Sequence, residues 1–159
     1  MTTPFHADPP LRLLVKFQEL YPDTTPDLVF QAPEREMWIA ARYNSREQYS
    51  CLALDLNQSV MTTFNLQSAK QRKTVTQRPL PRWARYPAGV IMTMSSMGMD
   101  VQGLNAVICG DEPQGPRYEY SLGILFAALC HELNDKPYYP EALTEIVDMV
   151  HREYVEGGG

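Results

Sequence analysis

The chain has 159 residues, enough for one domain with a substantial core, and its 44% hydrophobic and 21% charged content is that of a globular protein. A net charge of -5 gives no general attraction to nucleic acid or to anionic lipid. No apolar run approaches the roughly 20 residues that a bilayer span requires.

Residues 1–10 are polar and proline-rich, a flexible tail without the apolar stretch of a signal peptide. Apolar residues at Leu11, Leu13, Leu14, Phe17, Leu20 and Tyr21 then recur at helical spacing, and Pro22 ends the segment. Short strands are predicted over Asp27 to Pro33, Met37 to Arg42, Cys51 to Leu56, Ser59 to Phe64 and Thr74 to Gln77. Only Asp55 interrupts the third of these. Turn signals separate them at Asn44-Ser45, Asn57-Gln58 and Gln67 to Lys70. The run Lys70-Gln71-Arg72-Lys73 is basic but short and without interleaved aromatics, and reads as a solvated edge or loop rather than a phosphate patch. Cys51, Cys109 and Cys130 are too widely spaced for a disulfide framework or a zinc site, which implies a reducing, cytoplasmic setting.

Trp83 to Met97 changes to a helical period, despite Pro87 and Gly89. Gly103 to Cys109 reads as a strand. Ser121 to Leu133 is apolar nearly all round and is expected to be a deeply buried helix. Pro140 to Tyr154 is an amphipathic helix with proline in its first turn. This order predicts an α+β domain over residues 11–156. Its form is a two-layer sandwich, with helices packed on one face of a mainly antiparallel sheet, followed by a flexible glycine end at 157–159.

Pro113-Gln114-Gly115-Pro116-Arg117-Tyr118-Glu119-Tyr120-Ser121-Leu122-Gly123 stands between the last strand and the buried helix. That is where backbone N–H groups at a helix N-terminus would cradle a phosphate. Pro116 has no N–H, Tyr118 and Tyr120 are bulky, and Glu119 brings a like charge. One such charge contact is worth roughly 4 kcal/mol at an effective dielectric of about 20.

Three segments together resemble galactokinases of the galacto-, homoserine, mevalonate and phosphomevalonate kinase (GHMP) superfamily. Ala32-Pro33-Glu34-Arg35-Glu36-Met37-Trp38-Ile39-Ala40-Ala41-Arg42-Tyr43-Asn44-Ser45 is similar to A-P-G-R-V-N-L-I-G-E-H-T-D-Y. The Pro113 to Gly123 loop is similar to P-x-G-x-G-L-S-S-S-A. Asn134 to Val155 is similar to N-G-L-x-L-S-P-E-E-L followed by a helix and A-E-H-x-F-V-G.

The resemblance implies the fold of the family's N-terminal domain and places Arg35 at the arginine that stabilises the transferring phosphoryl group. Arg42 and Asn44, with Ala41, replace the histidine, aspartate and glutamate that would hold sugar hydroxyls. Gly115 and Ser121 match the nucleotide loop, and Arg117 is the cation able to offset Glu119. His151 stands where the family has a glutamate. Set against the resemblance, the residues up to Gly157-Gly158-Gly159 match only the family's N-terminal part, so the catalytic aspartate of its G-I-M-D motif and its C-terminal domain are expected to be lacking.

Simpler roles stand beside these. Arg35 is equally a structural arginine at a turn, and Ser121 a helix N-cap rather than a metal ligand. His131 and His151 are helix-end residues with no ligand grouping around them, so no metal is expected. Asp111-Glu112 reads as a solvated loop, and Met92, Met94, Met97 and Met99 as a plastic packing surface.

The expectation is a degenerate galactokinase-like domain, without kinase activity alone and with no cofactor, acting in binding or assembly. Its partner would be a second copy or a protein covering the surface left by the absent domain, with no nucleic acid and no membrane. The alternative is a divergent ATP-dependent sugar kinase, using ATP and Mg, truncated here or complemented by a separate C-terminal half. A third reading is an interaction domain that shares only the fold.

Overall fold

The computed structural model describes residues 8–56 and 61–156. The tail at 1–7, the turn signal at Asn57-Gln58, the start of the strand expected from Ser59 and the glycine end at 157–159 lie outside the described residues. In chain order the elements are α1 (Leu11–Leu20), β1 (Leu28–Gln31), β2 (Met37–Tyr43), β3 (Tyr49–Ala53), β4 (Thr62–Phe64), α2 (Leu66–Lys70), α3 (Arg82–Ser96), β5 (Leu104–Gly110), α4 (Pro116–Leu133) and α5 (Pro140–Val150). A π-type turn over His151–Val155 continues α5.

The five strands form one sheet in the order β1-β2-β5-β3-β4. Every pairing is antiparallel except β3 with β5, which run parallel. The expected α+β fold with a mainly antiparallel sheet is therefore present. Alternation along β2 and β5 explains their nearly continuous apolar sequence, because both faces are covered. Met37, Ile39 and Ala41 join Leu104, Ala106 and Ile108 under the helical layer. Trp38, Ala40, Val107 and Cys109 face the other way, with Leu52, onto Leu13 and Phe17 of α1. Helices α2 to α5 thus stack on one face as expected, while α1 lies on the opposite face. Its amphipathic stripe supplies an apolar side but not the choice of sheet face.

Two local expectations are corrected. Thr74 to Gln77 is a turn rather than a strand. Thr74 N–H donates to the Arg78 carbonyl, Gln77 N–H to the Thr74 carbonyl, and Gln77 has φ +69°. Gln67 to Lys70 is not a turn but most of α2. Asn65 caps that helix by accepting from Ser68 N–H, and the Ser68 hydroxyl accepts from Asn65 N–H in return.

The helical layer closes where glycines admit neighbours. A Cβ at Gly123 of α4 would lie 2.8 Å from Val147 Cγ1, and one at Gly89 of α3 would lie 2.9 Å from Tyr154 Cδ2. Eleven consecutive residues of α4, Ser121 to His131, are buried. This agrees with their all-round apolar pattern.

Candidate functional site

Parallel pairing of β3 and β5 brings their carboxyl ends to one edge of the sheet, where β2 begins. In open α/β sheets, ligands bind outside such ends. Three pieces of chain meet there: the β1–β2 turn at residues 32–36, the β5–α4 connection at residues 111–115, and Asp55 just past β3. The β1–β2 turn is held by Arg35 N–H donating to the Ala32 carbonyl and by Gln31 Nε2 donating to the Arg35 carbonyl, with Glu34 at φ +58°. The β5–α4 connection ends at Gly115, the N-cap of α4, whose φ of +109° favours glycine.

Helix α4 starts at Pro116, five residues earlier than the sequence pattern predicts. Gly115 at the cap and proline at the first helical position set that start. Ser121 is consequently an interior residue and not an N-cap. It is fully buried, and its hydroxyl accepts a 3.0 Å hydrogen bond from Arg35 Nη1. The Arg35 guanidinium also lies 5.3 Å from the centre of the Tyr120 ring, within cation–π range. Arg35, Arg117 and Tyr120 line a cleft of about 520 Å³, with Glu34 and Glu112 on its rim and Ile124 and Leu143 on its apolar wall.

The acidic residues are arranged differently from the sequence reading. Glu119 turns away from the cleft and pairs with Arg82 of α3 at 3.0 Å. Of the two carboxylates at the cleft, Glu34 and Glu112, the side chain of Glu112 is only 8% exposed. It accepts from Glu36 N–H at 2.8 Å and from Arg117 Nε at 3.3 Å. Glu112 is therefore not part of a solvated loop, whereas Asp111 is, at 76% exposed.

Asp55 fastens the connection from below. One carboxylate oxygen accepts from Gly110 N–H at 2.8 Å and from the Tyr118 hydroxyl at 2.9 Å. The other accepts from Arg12 of α1 at 3.0 Å. Gln114 donates to the Asp55 carbonyl at 2.8 Å. Burial, reinforced by the Asp55 charge, pushes the Tyr118 hydroxyl far above its ordinary range, so it is a fixed neutral donor.

Arg42 and Asn44 are not at this cleft. They lie at the far end of β2, about 23 Å of extended strand from its start. Asn44 Nδ2 donates to the Gln48 carbonyl and to Asn105 Oδ1, while its own Oδ1 accepts from Arg46 N–H. A β-strand separates its two ends by its full length, so two motif positions seven or more residues apart within it cannot share a small site. Ser121, Gly115, Arg117 and Arg35 are brought together; Arg42 and Asn44 are brought to each other.

His151 Nδ1 lies 2.6 Å from the Tyr86 hydroxyl, and His131 Nδ1 donates to the Ala127 carbonyl. Among the described residues no three His, Cys, Asp or Glu side chains are grouped to hold a metal ion. No described helix is long and apolar enough to cross a membrane.

The mixed five-stranded sheet, with helices α2 to α5 stacked on one side and a glycine-capped helix after the central strand, is an α+β fold similar to that of solved galacto- and mevalonate kinases. The Lactococcus lactis galactokinase, solved in complex with galactose, superposes with a TM-score of 0.67 over 92% of this chain, at 15% identity. The Methanococcus jannaschii mevalonate kinase superposes with a TM-score of 0.57 over 78% of the chain, at 14% identity. This chain spans 42% of the galactokinase and 38% of the mevalonate kinase. No protein-family model matches it, and no curated protein matches it by sequence.

A polyphosphate needs a run of free N–H donors and compensating positive charge. Here Pro116 removes a donor at the first helical position, and Glu112 adds a carboxylate that engages Arg117.

Proposed function

We propose that this chain is a galactokinase-like domain that lacks kinase activity of its own and works through binding or assembly. One observation carries the reading: the nearly buried Glu112 carboxylate stands at the helix terminus where the fold would receive phosphate, and it takes Arg117 and Glu36 N–H for itself. Arg35 is similarly engaged by Ser121 and Tyr120. The site position is kept while its donors serve the chain's own structure. The partner is a second copy or another protein, and the setting is cytoplasmic. Isothermal titration with ATP–Mg and with galactose tests the proposal, and micromolar binding of both overturns it.

A second reading is supported by the convergence of Arg35 and Arg117 on one cleft of about 520 Å³, with Ser121 holding Arg35 from behind. In that reading the chain is part of a divergent ATP-dependent sugar kinase using ATP and Mg, completed by residues outside it. ATP-dependent phosphorylation of galactose, assayed with and without a supplied C-terminal half, decides it. Absence of product in both arms removes the second reading.

A further inference from the structure

Charge is segregated in this chain. Between Leu56 and Met99 lie six of its fourteen cations, Lys70, Arg72, Lys73, Arg78, Arg82 and Arg85, and none of its nineteen carboxylates. Three of them, Arg72, Arg82 and Arg85, reach the π-type turn and the residue that follows it. Arg72 Nε donates to the Tyr154 carbonyl at 2.8 Å, Arg85 Nη1 reaches the Val155 carbonyl at 3.5 Å, and Arg82 pairs with Glu156. The bridge between Lys73 and Pro79 sets Arg78 beside them. Among the described residues, Arg82 is the only one of the six in an ion pair.

The complementary charge lies on α5. Glu141, Glu145 and Asp148 are exposed and spaced at i, i+4 and i+7, so they form one stripe, and the helix carries no cation. Like charges four residues apart cost a helix about 0.2–0.5 kcal/mol per pair, and α5 carries no lysine or arginine to pair with them. Because α5 runs on into the turn that Arg72, Arg82 and Arg85 contact, the acidic stripe and the basic face adjoin on the helical side of the molecule.

We propose that this side is a self-complementary dimer surface: the basic face of one copy takes the α5 stripe of a second copy, and a two-fold axis makes the contact twice. A two-fold interface requires that each patch find its complement on an identical chain, and this pair of patches meets that requirement. A nucleic acid fits less well. The net charge of -5 opposes a polyanion, and the basic face offers no fully exposed aromatic side chain for base stacking. The inference rests on the assembly part of the reading above. It is tested without any ligand, so its failure leaves the titrations of the cleft untouched.

Sedimentation velocity of the full chain at 100 µM, in about 50 mM and about 500 mM NaCl, is the experiment. The screening length of exposed charges falls from about 14 Å to about 4 Å across such a range. A dimer that dissociates at least about tenfold more readily in high salt is expected. Lys70→Glu/Lys73→Glu/Arg78→Glu makes both patches acidic, and Glu141→Lys/Glu145→Lys makes both basic. Each variant alone should be monomeric, and an equimolar mixture should restore a dimer, because both contacts then pair opposite charges. Circular dichroism checks that each variant is folded. A wild-type monomer in low salt overturns the proposal, including one that instead binds a polyglutamate peptide or an oligonucleotide. So does a dimer indifferent to salt, or open-ended growth beyond the dimer. The wild-type salt series decides the matter even if a variant fails to fold.

Discussion

Replacing Asp55 by alanine removes the fastening under the β5–α4 connection, and the structure sets the size of the effect. Two buried donors lose their acceptor: Gly110 N–H, and the hydroxyl of Tyr118, a residue only 1% exposed. An orphaned buried donor costs about 1–3 kcal/mol. The third partner, Arg12, has a side chain 46% exposed, so losing its ion pair adds at most about 1 kcal/mol. The expected loss is about 3–4 kcal/mol. At about 2–4 °C per kcal/mol for a chain of this length, the melting midpoint falls by about 6–16 °C.

Asp55→Asn keeps one acceptor oxygen and should cost about half as much, whereas Arg12→Ala should cost less than about 1 kcal/mol. Urea unfolding followed by circular dichroism measures all three. A double-mutant cycle with Tyr118→Phe should show that the two losses are shared rather than additive. An Asp55→Ala protein within about 1 kcal/mol of wild type refutes the assignment, as does an Arg12→Ala protein equally destabilised.

Gly110→Ala should destabilise severely, because its Cβ would collide with the Glu36 carbonyl oxygen and come within 2.8 Å of Met37 Cα in the paired strand. Thermal unfolding should show a loss of more than about 3 kcal/mol, and a midpoint unchanged from wild type contradicts the β2–β5 register. The thiols of Cys51 and Cys130 are pushed up to about 12 by burial, so native protein should react with an aromatic disulfide reagent at these positions only on unfolding. Their raised values have a second consequence. Stability is full below the ordinary thiol value of about 9 and falls as pH rises toward 12, by about 1.4 kcal/mol per pH unit for each thiol, which alkaline urea titrations would follow. The hydrogen bond and charge of Arg82 lower the carboxyl of Glu156. The stability it lends is present above the ordinary carboxylate value and is lost as pH falls through the lowered one. Carbon-detected NMR titration should find that value rising toward normal in Arg82→Gln.

Much of this fold is written locally. The periodicity of Ser121 to Leu133, the alternation hidden in β2 and β5, and Pro140 at the start of α5 are all short-range signals; β2, β5 and α5 formed near their expected bounds, whereas α4 begins five residues before its expected start. What the sequence withholds depends on distant partners. The sheet face chosen by α1 follows from Leu13 and Phe17 meeting Trp38, Leu52 and Val107. The role of Asp55 depends on Tyr118, sixty-three positions away. Its one local signal is a lone carboxylate in an apolar strand, the mark of a buried acceptor. At the cleft, the loop motif marked Gly115, which caps α4, and Ser121, which accepts from Arg35. Which carboxylate faces the cleft was not legible, because helix α4 begins at Pro116 and rotates Glu119 toward Arg82. The wide separation of Asn44 from Arg35 follows from strand geometry once β2 is seen to run unbroken from Met37 to Tyr43.

The most direct test of an internally satisfied phosphate position is a thermal-shift measurement with 5 mM ATP–Mg and with 5 mM galactose. A ligand present at a hundredfold excess over its dissociation constant adds about 2.7 kcal/mol to the native state, which here means about 5–11 °C. The melting midpoint is expected to stay within about 1 °C of the unliganded protein for both compounds. A rise of several degrees with both of them would contradict the account.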